Sequence, residues 1–173
     1  AEKSKFNSDL TNPAEYSFWP VFDGKALPEN PYEAVKEGEM NKVDILAGYN
    51  TDEGSMFIPA DTTEETYKAF VKRIFGRNAD KVLKRFPVNS ENNAADRTRY
   101  FFTIALRMGN EIFAEELQKD GYKAYYYNFD YHVKQADDKG LGVMHALEMP
   151  FVFRGVEEQF PEDTDAAALS KEM

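Results

Sequence analysis

The chain has 173 residues, 42% of them apolar, 14% aromatic and 30% charged, the profile of a folded domain or of one piece of a larger one rather than of a disordered tail. Its 21 Lys and Arg stand against 31 Asp and Glu, a formal net charge of -10, so a nucleic-acid backbone would meet a repulsive field. With no cysteine there is no disulfide framework, thiolate zinc site or cysteine nucleophile. A mean hydropathy of -0.63 and the lack of any apolar run of about 18 residues exclude a membrane-spanning helix. The opening AEKSKFNSDL carries no apolar signal core, although a removed one would leave no trace, and the sequence names no compartment.

Residues 1–16 are polar, contain Asn12-Pro13 and are expected to form an irregular lead-in. Pro20, Pro28 and Pro31 punctuate the next stretch, and Asp23-Gly24 is a strong turn dipeptide. A short strand is expected at 20–22 and a brief helix over 31–37, with Pro31 in the tolerated first turn. The run KVDILAGY (42–49) is mostly apolar and bounded by Asn50-Thr51-Asp52-Glu53-Gly54, which predicts a buried strand feeding a tight loop. Asp61 and Glu64 then stand at capping-box spacing ahead of Tyr67, Phe70, Val71, Ile74 and Phe75, whose recurrence predicts an amphipathic helix. Asn78 is placed to cap a second short helix carrying Val82, Leu83 and Phe86 and stopped by Pro87.

A longer helix is predicted over 94–119. Phe101, Ala105, Met108 and Ile112 form one stripe, with Phe102, Leu106, Phe113 and Leu117 beside it, and so wide an apolar face implies burial on more than one side. Asp120-Gly121 closes this helix with a glycine for the left-handed cap. YKAYYYNF (122–129) is the second strand, its aromatics and Phe101-Phe102 being assigned to the core. Strands separated by helices predict an α/β layered arrangement with parallel pairing. Beyond the acidic stretch 157–163, expected to be a solvated loop, a helical pattern begins at Thr164 and runs through Leu169 to Met173. The chain is therefore expected to be a single incomplete domain.

Reactive side chains gather just after the two predicted strands, in Asn50-Thr51-Asp52-Glu53-Gly54 and in Gly142-Val143-Met144-His145-Ala146-Leu147-Glu148. In parallel α/β sheets such loops meet at the carboxyl ends of strands, where a carboxylate and an imidazole suit acyl transfer. From spacing alone, Glu53 reads more readily as a turn carboxylate accepting backbone N–H groups than as a catalytic acid. His132 is assigned a structural role as a partly buried, satisfied histidine. His145 and Glu148 share an i, i+3 spacing known from metal sites, but with two histidines and no cysteine in the chain no metal and no cofactor are predicted.

Four segments, FWPVFDGKALPENP (18–31), ILAGYNTDEGSMF (45–57), YYYNFDY (125–131) and GVMHALEMPFVF (142–153), occur here in matching order and spacing. Through them the chain resembles the C-terminal part of the type B carboxylesterases, the cholinesterase-like α/β-hydrolases that include para-nitrobenzyl esterases. The resemblance implies an α/β fold class in which residues 1–173 form a C-terminal fragment of an α/β-hydrolase. It would hold a few mainly parallel strands and several helices, with the N-terminal half of the sheet missing. It further implies that Glu53 is the triad acid, His145 the triad base and Glu148 a supporting buried glutamate. None of Ser4, Ser8, Ser17, Ser55, Ser90 and Ser170 lies in a Gly-x-Ser-x-Gly elbow, so no nucleophile is expected in this chain. The implied partners are a small carboxylic ester and either the N-terminal part of the same protein or a second copy joined at an exposed edge. The alternative reading is a noncatalytic cholinesterase-like interaction module, against which the presence of both Glu53 and His145 argues.

Overall fold

Local chemistry fixes the first helix before any packing is considered. In a computed structural model that describes residues 23–173 other than Pro28, Met40 and Lys42, α1 spans Pro31–Glu37. The Asn30 side chain accepts from the Tyr32 N–H, Pro31 occupies the first turn, and Gly38 ends the helix at φ 72°, a conformation glycine adopts without penalty. The lead-in expected at 1–16 and the strand expected at 20–22 lie outside the described residues. Asp23 and Gly24 do form a turn, with one Asp23 carboxylate oxygen accepting the N–H groups of Lys25, Ala26 and Leu27.

Two strands, β1 (Ile45–Asn50) and β2 (Ala124–Phe129), pair in parallel, from Ile45 opposite Ala124 to Asn50 opposite Phe129. Parallel neighbours need a long crossover, and it is supplied by α2 (Glu64–Phe75), α3 (Ala79–Arg85) and the 26-residue α4 (Ala94–Lys119). The crossover helix α4 carries a capping box of Asn93 and Asp96 and ends before Gly121 at φ 87°. Asn110 on α4 donates to the Gly48 carbonyl at 2.6 Å, fastening the helix to β1. At Gly48 a Cβ would fall 2.4 Å from the Tyr127 carbonyl oxygen, so the close approach of the two strands there requires glycine. The segment after β2 holds the short helices α5 (Lys134–Asp137), α6 (Met149–Val152) and α7 (Val156–Gln159), then α8 (Thr164–Glu172).

Two apolar clusters organise these elements. Phe129 at the end of β2 joins Val133, Ala136, Val143, Leu147, Phe151, Val156 and Ala166, so the loop carrying His145 rests on one core. Tyr67, Phe70 and Val71 of α2 meet Ala79, Ala94 and Phe101 in the other, with the Tyr67 hydroxyl donating to the Phe86 carbonyl at 2.7 Å.

Several expectations need correction. The strand β1 is not buried throughout: Leu46 is 72% exposed, because β2 is its sole partner in a two-stranded sheet among the described residues. Tyr125 and Tyr126 are likewise exposed rather than core. The wide apolar face of α4 is buried at Phe101 and Leu117 but exposed at Leu106, Met108 and Ile112. Thr63, not Asp61, caps α2, its hydroxyl accepting from the Thr66 N–H. Asn78 makes no capping bond because a 3-10 turn over Gly76–Asn78 runs straight into α3. The acidic stretch is not all loop: α7 reaches Gln159, and Asp163 caps α8 while accepting from the Tyr131 hydroxyl.

Phe151 is fully buried, with ring centroids 4.9 Å from Phe129 and 5.3 Å from Tyr131, whereas Phe153 two residues on is 73% exposed. Phe151→Ala is expected to cost about 3–5 kcal/mol in urea unfolding, and Phe153→Ala to stay within about 0.5 kcal/mol of the parent.

Candidate active site

Strand β1 delivers the first loop. Past Asn50 the chain enters a 3-10 turn at Glu53–Met56, and the turn is tight because Gly54 lies against α4. A Cβ at Gly54 would fall 2.6 Å from the Arg99 carbonyl oxygen and 2.7 Å from its Cα, leaving no room for a side chain. The Gly54 N–H donates to the Thr103 hydroxyl, and the Arg99 guanidinium donates twice to the Ile58 carbonyl, at 3.0 and 2.9 Å. Both ends of the loop are thereby pinned to one helix.

Strand β2 leads to the second loop, and Asp52 stitches the two together. Its N–H donates to the Val143 carbonyl and its carboxylate accepts the Val143 N–H, each at 2.9 Å, within a parallel bridge to Met144. Gly142 sits at φ 54°, and a Cβ there would overlap the Asp52 carboxylate. Ser55 donates to the Leu141 carbonyl, and Thr51 to Asp130. These hydrogen bonds join residues 79 to 91 positions apart in sequence at neighbouring strand ends.

Between the stitched loops, His145 Nδ1 lies 2.6 Å from Glu53 Oε2. The Glu53 side chain is 8% exposed and that of His145 45% exposed. The second Glu53 oxygen, Oε1, accepts the Asn50 backbone N–H at 2.8 Å, so the buried carboxylate is satisfied on both atoms, as burial of a charge requires. A carboxylate accepts, so Nδ1 carries the proton and Nε2 of the neutral ring is the basic atom. No hydrogen bond reaches Nε2 from the described residues. The imidazole packs against Phe57 with centroids 5.2 Å apart, and Phe57 in turn against Phe102 at 4.9 Å. Ala146 follows at φ 64°, a left-handed conformation that costs a non-glycine residue roughly 1–3 kcal/mol and is concentrated at functional positions.

Of the residues singled out in sequence, Glu53 and His145 are brought into direct contact. Glu148 is half-buried and bonds instead to Asn50, its Oε2 accepting from Asn50 Nδ2 at 2.6 Å. Asn50, buried at 1% exposure, was not identified individually by sequence reasoning, and neither was the stitching role of Asp52. Their partners are remote in sequence, and the local signal was only that both belong to the polar turn ending β1. The phenol of Tyr127, also near this cluster, is pushed up by burial and then by the charges of Glu148 and Glu53. His132 is not partly buried as expected: it is half-exposed and pairs with Asp137 at 2.9 Å, a bond that raises its pKa. A cleft of about 640 Å³ opens between α4 and the stitched loops, lined by Tyr49, Asp52, Arg99, Arg107 and Asn128, but neither Glu53 nor His145 lines it.

The model of the carboxylesterase family matches residues 2–173. The chain is 31% identical over 143 residues to para-nitrobenzyl esterase of Bacillus subtilis (strain 168), covering 79% of this chain and 27% of that protein. It is 26% identical over 154 residues to phenmedipham hydrolase of Pseudarthrobacter oxydans, covering 82% of this chain and 29% of that one. A solved PNB esterase structure superposes with a TM-score of 0.69 at 25% identity, over 95% of this chain and 34% of its own. The chain thus spans about a quarter to a third of the length of these relatives, and its fold corresponds to part of their α/β-hydrolase fold.

The Glu53–His145 contact has a spectroscopic signature. The parent chain is expected to show a low-field Nδ1 proton resonance for His145 in NMR, with Glu53→Gln removing it, since the charge-assisted bond to the carboxylate is lost.

Proposed function

The chain belongs to the carboxylesterase family, and we propose that it supplies the acid and the base of a serine ester hydrolase whose nucleophile lies outside these 173 residues. The observation that carries this reading is the 2.6 Å contact of His145 Nδ1 with a buried Glu53 carboxylate. In this assignment His145 Nε2 takes the proton of a serine hydroxyl as its oxygen bonds to the ester carbonyl carbon. The resulting imidazolium, balanced by Glu53, then protonates the departing alkoxide. Water enters by the same route in reverse, with His145 again as base, and the acid product leaves. The negative charge on the carbonyl oxygen needs N–H donors of its own, and we assign those to the same missing portion.

No serine of this sequence lies in a Gly-x-Ser-x-Gly elbow. Ser55 and Ser170 are buried and donate to the Leu141 and Phe151 carbonyls, which disfavours them as nucleophiles. The isolated chain should accordingly be silent toward esters. Glu148 is assigned a supporting role. The substrate class is a small carboxylic ester, in keeping with the names of the relatives.

Two measurements test the assignment. With para-nitrophenyl acetate the 173-residue chain should not exceed the buffer rate. In the complete esterase domain, His145→Ala or Glu53→Gln should lower kcat by about 10⁴-fold with KM little changed. Hydrolysis by the chain alone that vanishes on His145→Ala, or a complete domain indifferent to that substitution, contradicts the proposal.

The exposed Leu46, Tyr125, Met108 and Ile112 are assigned as the surface on which the remainder of such a domain packs. Without it, the open strand edge and apolar helix face should drive self-association. Sedimentation velocity should then show the chain's average mass rising with concentration, and a single monomer boundary throughout would refute this.

A further inference from the structure

Resting on the acid and base roles assigned to Glu53 and His145, the geometry points to Asn50 as a positioning residue whose side-chain amide ties the end of β1 to both sides of the histidine. The amide nitrogen donates to the Met144 carbonyl at 2.8 Å and to Glu148 Oε2 at 2.6 Å, while the Asn50 backbone N–H donates to Glu53 Oε1 at 2.8 Å. Met144 immediately precedes His145, and Glu148 follows it by three residues. One side chain therefore holds the histidine segment before and after the ring, while the main chain of the same residue holds the acid.

The orientation of that amide is determined by its partners. The Met144 carbonyl only accepts, so turning the amide over would set two acceptors against each other. In the orientation observed, the price falls on Asn50 Oδ1, which is buried without a hydrogen-bond partner among the described residues. An unsatisfied buried acceptor is destabilising, and the two bonds from the amide nitrogen offset that cost while fixing the histidine segment before and after the ring. The titratable groups around this tether are Glu53 from the turn after β1, His145 and Glu148 from the second loop, and Tyr127 from β2.

The test uses the complete esterase domain and reads kcat, KM and the pH dependence of kcat/KM with para-nitrophenyl acetate. Asn50→Ala removes the tether but leaves the backbone bond to Glu53, and kcat should fall roughly 10- to 100-fold at little-changed KM, the scale expected when a reacting group is misplaced by a fraction of an ångström to an ångström. Asn50→Asp places a second carboxylate beside Glu148. It should lower kcat further, because a carboxylate there repels Glu148 and has no donor for the Met144 carbonyl. The exchange Asn50→Asp/Glu148→Gln swaps donor and acceptor across the 50–148 contact, though the Met144 carbonyl stays without its donor, and should recover part of kcat. An Asn50→Ala variant with unaltered kcat and pH profile overturns the inference, whatever its melting temperature, as does an exchange variant no better than Asn50→Asp. Should these variants fail to fold, Asn50→Ser is read by the same criteria. His145→Ala separates the two levels: if it is fully active the acid–base reading itself fails, whereas its inactivity beside a silent Asn50→Ala removes only the positioning role.

Discussion

A carboxylate taken out of water must be matched atom for atom, and among the described residues Glu53 is the buried group on which that requirement falls hardest. Its two oxygens are met by an amide of its own strand end and by the ring of His145, ninety-two residues away. Removing one partner leaves a buried charge short of a bond, which costs more than the intact contact contributes. The contact is therefore a constraint on the whole fold: Glu53 is comfortable in its place only while the loop bearing His145 is in place too. That dependence explains why so many secondary contacts, through Asp52, Thr51, Ser55 and Asn50, are spent on holding two loops together.

Strand register transmits the constraint. Asn50 pairs with Phe129, and the Thr51 N–H donates to the Phe129 carbonyl, so the two strands end level and release their loops side by side. A slip of one residue would shift the loops by about 3.3 Å and send alternate side chains to the wrong face, more than enough to break a 2.6 Å contact. Glycine enforces the close approach at both levels, Gly48 under Tyr127 within the sheet and Gly142 under the Asp52 carboxylate between the loops. On the helical side, α4 sets the depth of the acid turn, since its backbone at Arg99 occupies the space any side chain at Gly54 would need.

How much of this was legible in the sequence follows from how local each cause is. Helices α1 and α4 begin and end where proline, glycine and the spacing of apolar residues place them, because capping and termination are decided within a few residues. Parallel pairing followed from strands separated by helices. Burial did not follow: Leu46 and Ile112 look like core residues in sequence, yet whether an apolar side chain is covered depends on what packs across from it. Spacing alone favoured a turn carboxylate over a functional acid at Glu53, and the family resemblance reversed the preference. Neither route exposed the amide of Asn50 or the left-handed backbone of Ala146, since both are consequences of two loops meeting and have no local signature.

The arrangement around His145 also bears on when the site takes shape. Glu53 holds one edge of the ring, Phe57 backed by Phe102 lies against it, and the chain on either side is fixed by the Met144 carbonyl bond and the turn at Ala146. A side chain restrained in this way has already given up most of its rotational freedom, so little further ordering is needed when a reacting partner arrives. All of these restraints come from residues between Asn50 and Glu148, and none needs a group from elsewhere. The tautomer, orientation and counter-charge of the imidazole are thus set within this chain, while the half-exposed ring keeps Nε2 unengaged by the described residues. In the proposed assignment, a base prepared in that manner would leave to the rest of the domain the tasks of presenting the hydroxyl and receiving the oxyanion.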